Sequence, residues 1–368
     1  MVFDALSYPF LTVSKPLNLS ARVEEFPEEH WRTAIDSFPK EASLRLQFLF
    51  VGRLTKLPPE TLFSLRHELF SFVENRFVPL IIENADRTFT LLDRLLDVLL
   101  LNGPAATESA IGEVSVAGRT VKRSRRTTDH AINSPTGKVA ELLFAYLDSL
   151  KLGKATGIPD CIKTRLERLY ASPGEGSDYA VCVTTRRLRW LYYLDPNWIE
   201  KRVIPWFNLQ HPAAEPTWNG YLYDNTLPEP NLFALIKDSF LEAAVHVHRW
   251  NWGDRLPTKI HEFLVLACFR HGRQPEYITF AEARAVLQKT DDAGRSHSIW
   301  FLARLVKDKK KWLTRGKPFL NKAWPREAIC QTPETSRRFM SLAEDATDNF
   351  DEIVYAILPF LGKHQRWH

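Results

Sequence analysis

The chain has 368 residues, 45% of them hydrophobic and 25% charged, with a formal net charge of +5. That length exceeds the roughly 250–300 residues at which one hydrophobic core stops growing, so division into domains or an elongated stack is expected. Its 15 glycines against 23 prolines suit helices begun and ended by proline and argue against a glycine-rich nucleotide-binding sheet.

In chain order, the first 25 residues are broken by proline and read as an extended arm. Helices are predicted over 28–38 and 41–55. Leu57-Pro58-Pro59-Glu60 then opens a helix whose apolar face runs Leu62, Leu65, Leu69, Phe72 and Val73, with proline in the first turn and Glu at the positive helix end. Residues 86–101 carry leucine on nearly every side, the pattern of a helix buried by its neighbours. Asn102-Gly103-Pro104 ends it. Residues 103–133 are rich in Gly, Ser, Thr and Arg and read as a long loop, with Val114–Val116 as the candidate strand or hairpin edge. Ser134-Pro135 caps the next helix, whose face is Val139, Leu142, Leu143, Tyr146, Leu147 and Leu150. Further helices are predicted over 159–171, 177–194, 196–207, 216–223 and 230–249. Those over 257–270, 280–289, 293–307, 309–322, 333–346 and 349–361 complete the chain, and Thr279-x-x-Glu282 forms a capping box.

One pattern recurs. Proline followed by two large apolar residues occurs at Pro79-Leu80-Ile81, Pro205-Trp206-Phe207, Pro318-Phe319-Leu320 and Pro359-Phe360-Leu361. The last two copies lie about 41 residues apart, a period typical of two-helix repeats. The aromatic-dense stretch Asp195–Phe233 contains one copy and reads as the joint of a stack, with Trp198, Trp206 and Trp218 packing there and Trp324 packing further on.

Motifs for chemistry are sparse. Thr136-Gly137-Lys138 offers a Gly-Lys pair, but a phosphate loop also needs Gly at 132 and Ser or Thr at 139, where Ile132 and Val139 stand. His246 and His248 are two apart on a helix and face away from each other. His261, Cys268 and His271 share one face and would need a ligand from another helix to hold a metal. No His-Glu-x-x-His or Gly-x-Ser-x-Gly occurs. No metal, cofactor or catalytic residue is therefore assigned. Cys161, Cys182, Cys268 and Cys330 are widely spaced, as in a reduced cytoplasmic protein. The N-terminus lacks the pattern of a signal peptide, and the most apolar run, Leu91–Leu101, is interrupted by Asp93, Arg94 and Asp97, so no membrane partner is expected.

Charge gives the strongest surface signal. Residues 118–138 hold six Lys/Arg against one Asp, and residues 301–326 hold nine against one. Two basic islands on an acidic remainder suit a polyanion or an acidic protein. Arg119, Lys122, Arg123, Arg125 and Arg126 in the first, and Lys310, Lys311 and Arg315 in the second, are the candidate partner-binding residues. Trp312 within the second island is a candidate to stack on an unpaired base, or else a core residue.

Several strings carry a family resemblance: Leu57-Pro-Pro-Glu-Thr-Leu62, Leu92-Asp-Arg-Leu-Leu-Asp97 and His130-Ala-Ile-Asn-Ser-Pro-Thr-Gly-Lys-Val-Ala-Glu141. Others are Asp195-Pro-x-Trp198 with Pro205, Trp218-x-Gly-Tyr221, Trp324-Pro-Arg326, Thr332-Pro-Glu-Thr-Ser336 and Phe350-Asp-Glu-Ile-Val354 with Leu358-Pro-Phe-Leu361. Over most of residues 40–362 the chain resembles the C-terminal helical region of large bacterial anti-phage defence proteins that carry a sirtuin-like domain or an NTPase. The resemblance implies a sensing or regulatory module beside an effector subunit, and it supplies no catalytic residue.

The expected fold is all-α, an irregular HEAT- or TPR-like stack of antiparallel helix pairs. The expected domains are 1–102, a helical bundle with its arm; 103–133, a basic loop or linker; and 134–368, a helical-repeat domain. The expected function is non-enzymatic recognition or scaffolding of a protein partner, with nucleic-acid binding and an unrecognised hydrolase as the alternatives.

Overall fold

The computed structural model describes residues 27–39, 41–74, 76–112, 114–116, 119–223, 226–253, 256–346 and 349–362. The expected N-terminal arm lies outside them. The helices are α1 (Glu28–Asp36), α2 (Leu44–Leu54), α3 (Pro59–Ser64), α4 (Arg66–Glu74), α5 (Phe77–Glu83), α6 (Ala85–Leu101), α7 (Pro135–Ser149), α8 (Asp160–Tyr170) and α9 (Gly176–Arg186). After them come α10 (Leu188–Leu194), α11 (Pro196–Arg202), α12 (Ala214–Tyr223), α13 (Pro230–His246), α14 (Leu256–His271) and α15 (Phe280–Lys289). The last are α16 (Asp292–Leu305), α17 (Lys317–Ala323), α18 (Pro333–Glu344) and α19 (Phe350–Ile357). Two strands, β1 (Val114–Val116) and β2 (Arg119–Val121), pair antiparallel with Val114 opposite Val121. Among the described residues the regular structure is helical apart from this hairpin, which falls where the sequence offers a strand edge.

By Cα proximity the chain divides into two compact units. One comprises Met1–Gly112 and Arg125–Thr184, the other Glu113–Ser124 and Thr185–His368. The divide therefore differs from the expected 102 and 134. α7 packs on α4, α5 and α8, so its buried face of Val139, Leu142, Leu143 and Leu147 belongs to the first core. The stretch 103–133 is no plain loop either. It holds the hairpin and two short helices, Pro104–Thr107 and Thr128–Ile132.

In the first unit α6 is the central element. The Asn84 side chain accepts from the Arg87 N–H at its N-terminus, and Leu91, Leu92, Leu95, Leu96, Val98 and Leu99 are buried. Each such side chain contributes about 1.5–3 kcal/mol by leaving water. The face that keeps Asp93 and Asp97 is answered by α8: Arg165 donates to both oxygens of Asp93, and Arg168 reaches Asp93 and Asp97. The Arg165 guanidinium also lies 3.8 Å over the Phe89 ring. The sequence predicts one helix through 57–73, whereas the backbone breaks at Leu65, with α3 and α4 on either side and Leu62, Leu65 and Leu69 all buried.

In the second unit the helices form two rows. α12 packs on α14, α14 on α16 and α16 on α18, while α13 packs on α15, α15 on α17 and α17 on α19. Hydrogen bonds cross between these helices and the segments beside them. Lys237 Nζ donates to Tyr277 O at a separation of 40, Gln288 to Glu327 at 39, Ser296 to Glu334 at 38 and Lys317 to Glu352 at 35. Aromatic side chains cluster within the Asp195–Phe233 stretch. Phe207, Trp218 and Tyr221 meet edge to face, and Trp218 Nε1 donates to Phe207 O at 3.0 Å. Trp206, Trp218 and Trp324 are buried as expected, and Trp198 is half-buried.

Candidate functional site

The first basic island is largely spent on the protein itself. Arg126 forks onto Asp178, Nε to Oδ2 at 2.7 Å and Nη2 to Oδ1 at 2.8 Å. Arg125 donates to Glu175 and, through Nη1, to Ile111 O at 3.0 Å. Planar guanidinium–carboxylate pairs of this kind fix geometry. Arg125 and Arg126, expected to meet a partner, instead tie the segment after the hairpin to the region where α9 begins.

Lys122 and Arg123 are exposed, yet the backbone beneath them is strapped down. Ser124 N–H donates to Asn251 O at 3.0 Å, and the Asn251 amide donates to Lys122 O. The Arg123 guanidinium lies against Gly253, whose φ of +95° is a conformation that residues with a side chain rarely adopt. Arg119 stands in β2, and its side chain lies outside the described residues.

The second island is more open. Asp308 caps a short turn over Lys309–Lys311, accepting from the Lys311 N–H and pairing with Lys311 Nζ at 2.9 Å. Lys310 is exposed beside it. From Trp312 to Gly316 the backbone widens into a π turn, in which the Lys317 N–H donates to Trp312 O. Gly316 makes this turn possible. A Cβ there would stand 2.5 Å from the Trp312 ring, so the indole occupies the glycine's open face and is fully buried. Trp312 is therefore a core residue and is not presented to a base.

The π turn carries Arg315 to a cleft of about 660 Å³, which sequence reasoning did not foresee as a site. Its walls come from α10 (Arg189), the 226–230 segment, the C-terminal end of α14 (Leu266, Phe269, Arg270), the turn after it (Arg273, Gln274, Tyr277) and Arg315. Tyr277 braces the cleft. Its hydroxyl donates to Pro228 O at 2.6 Å, its carbonyl accepts from Lys237 Nζ, and the Arg270 guanidinium lies 5.9 Å from its ring centroid. Four arginines face one carboxylate, Glu229. Glu229 is bonded to Arg189, and that bond, with the nearby Arg189 and Arg270 charges, holds its carboxyl below the usual glutamate range. Arg273 and Arg315 are exposed and have no ion-pair partner among the described residues. The signal available to sequence reasoning was partial: Arg315 lay in a basic island, and Arg189 in the run Arg186, Arg187, Arg189. Arg270 and Arg273 looked like an ordinary helix end.

His248, His261 and His297 lie together, and of the three only His261 is buried. His261 is fully buried, neither ring nitrogen has a hydrogen-bond partner among the described residues, and its ring lies nearly parallel to that of His248 at 6.1 Å. Burial, with His248, His297 and Arg295 nearby, holds His261 down to about 3, so it is neutral at physiological pH. His297 Nε2 meets Glu262 Oε1 at 3.0 Å. Cys268 is buried and its thiol pushed up to about 12, which makes it unreactive. His271 bonds Tyr277 O. Among the described residues no group of three or more His, Cys, Asp or Glu could hold a metal ion. No described helix is long and apolar enough to cross a membrane.

The Gly-Lys pair is a helix start. Ser134 Oγ accepts the Gly137 N–H at 3.0 Å, and a Cβ on Gly137 would lie 1.9 Å from Ala131 O. Glycine stands here because the preceding chain passes against it.

No protein-family model, no curated protein and no solved structure matches this chain.

Proposed function

We propose that this chain is a non-enzymatic recognition module, an irregular helical-repeat stack of the HEAT or TPR kind that binds an anionic part of another macromolecule. The repeat reading is supported by the two rows of the second unit and by links that recur at separations of 35 to 40 residues. The recognition reading is carried by one observation: four arginines converge on an open cleft containing a single carboxylate. Arginine forks bind carboxylates and phosphates in two-point fashion. The cleft's one carboxylate is drawn below the usual glutamate range by its bond to Arg189. The anti-phage setting, with this chain as the sensing part beside an effector, rests on the resemblance alone.

Nucleic acid is the second reading. It is favoured by the run Lys309–Lys311 immediately before the turn that carries Arg315.

The test is the binding of labelled poly-glutamate and of a labelled single-stranded oligonucleotide to the whole protein, from about 50 to about 200 mM salt. Binding of either, weakening with salt, supports the reading, and the preferred probe identifies the partner class. Turnover of NAD or ATP by the purified chain would contradict a non-enzymatic module.

A further inference from the structure

We infer that the arginine-lined cleft is a binding site for a nucleoside polyphosphate, with a nucleoside diphosphate as its minimal ligand. The inference rests on the reading of the cleft as an anion-recognition site and adds what the anion is attached to.

Charge sets the number of phosphates. Four arginines and one glutamate leave a formal charge of +3 on the lining. Glu229 is engaged by Arg189, so Arg270, Arg273 and Arg315 remain for a ligand. A carboxylate or a phosphodiester brings one negative charge and leaves two of these guanidiniums unmatched, while a diphosphate monoester brings about three. The three arginines come from separate pieces of backbone: the last turn of α14, the turn that follows it, and the π turn at Trp312–Gly316. π turns mark functional positions out of proportion to their rarity. Here the turn sets Arg315 against the same cleft as the end of α14.

The remaining wall sets the rest of the ligand. Pro230, Leu266 and Phe269, each partly exposed, present an apolar surface beside the charged one, suited to the face of a planar ring. Gln274 adds an exposed amide that both donates and accepts. A pocket of about 660 Å³ lies within the range of roughly 300–1,000 Å³ usual for small-molecule sites. An arginine cluster with one apolar wall and one orienting amide is matched by a phosphorylated nucleoside better than by a bare polyanion.

Calorimetric titration of the intact protein tests this, with ADP, GDP, adenosine, inorganic pyrophosphate and citrate as probes at low salt. At least one nucleoside diphosphate should bind about tenfold or more tightly than pyrophosphate, adenosine or citrate. Combining Arg273→Ala with Arg315→Ala should weaken it by about ten- to a hundredfold, the loss expected when hydrogen bonds to charged groups are removed. The melting midpoint without ligand should not move, because both side chains are exposed and lack ion-pair partners among the described residues. Pyrophosphate or citrate binding as tightly as both nucleotides overturns the inference, as does nucleotide binding that survives the double substitution. Poly-glutamate and a 5′-hydroxyl oligonucleotide separate it from the broader reading. If either binds through Arg273 and Arg315 while nucleotides do not, recognition stands and the nucleotide assignment falls. If nothing binds, both fall.

Discussion

At the scale of single residues, the sequence shows which arginines are present but not which are already satisfied. Arg125 and Arg126 sit in the densest basic run, and their carboxylates lie 50 and 52 residues further on. No local pattern announces a pairing at that distance. Arg126→Ala leaves Asp178, whose side chain is only 16% exposed, without its guanidinium. Chemical denaturation should show a loss of about 1–3 kcal/mol, where a partner-facing arginine would show almost none. Glu229 is the opposite case. Glu229→Gln removes the one negative charge lining the cleft and should tighten binding of an anionic probe up to about fivefold, the range of an exposed ion pair, as anisotropy would read. His261 gives a pH dependence. Its folded value of about 3 lies below the ordinary histidine value of 6.5, so the unfolded chain binds the extra proton between those values. Stability from neutral His261 is complete above about pH 6.5 and is lost as pH falls towards 3, by at most about 1.4 kcal/mol per unit. Denaturation midpoints from pH 7 to 5 should therefore fall more steeply in the wild type than in His261→Phe.

At the scale of elements, local signals located most helices and missed their interruptions. Caps such as Ser134, Asp195, Thr279 and Thr332 act within three residues, so the helices they start were legible. The break at Leu65, the break at Arg187 between α9 and α10, and the π turn at Trp312–Gly316 were not. At the first two no glycine or proline marks the break, and at the π turn Trp312 is buried against Gly316. α5 was missed because its Phe77–Glu83 run is short and broken by Pro79. Gly137 supplies a test at this scale. The Gly-Lys pair it belongs to lacks the other residues of a phosphate loop, and the Cβ of an alanine would meet Ala131 O at 1.9 Å. Gly137→Ala should destabilise the protein by about 1–3 kcal/mol in spite of alanine's higher helix propensity, as a shift in denaturant midpoint would show.

At the scale of the whole molecule, the all-helical class followed from composition and periodicity, while the division into units did not. α7 begins with a strong cap after a polar stretch and so looks like a domain start, but its apolar face completes the first core. The candidate site was only half legible for a similar reason. Arg189 and Arg315 are 126 residues apart in sequence, and only the packing of the second unit brings them to one cleft. If that unit is a stack of nearest-neighbour contacts, its helices should open in steps, with amide hydrogen-exchange protection graded along α12–α19 rather than uniform. The central claim is that recognition lies in the cleft and not in the hairpin. It is tested most directly by comparing two charge reversals in the whole protein, Arg273→Glu with Arg315→Glu against Lys122→Glu with Arg123→Glu, in titrations with the anionic probe that the wild type binds best. The account predicts that the cleft pair abolishes binding while the hairpin pair leaves it within about threefold, as expected for charges outside the contact. Binding that survives the cleft pair and is lost with the hairpin pair would contradict it.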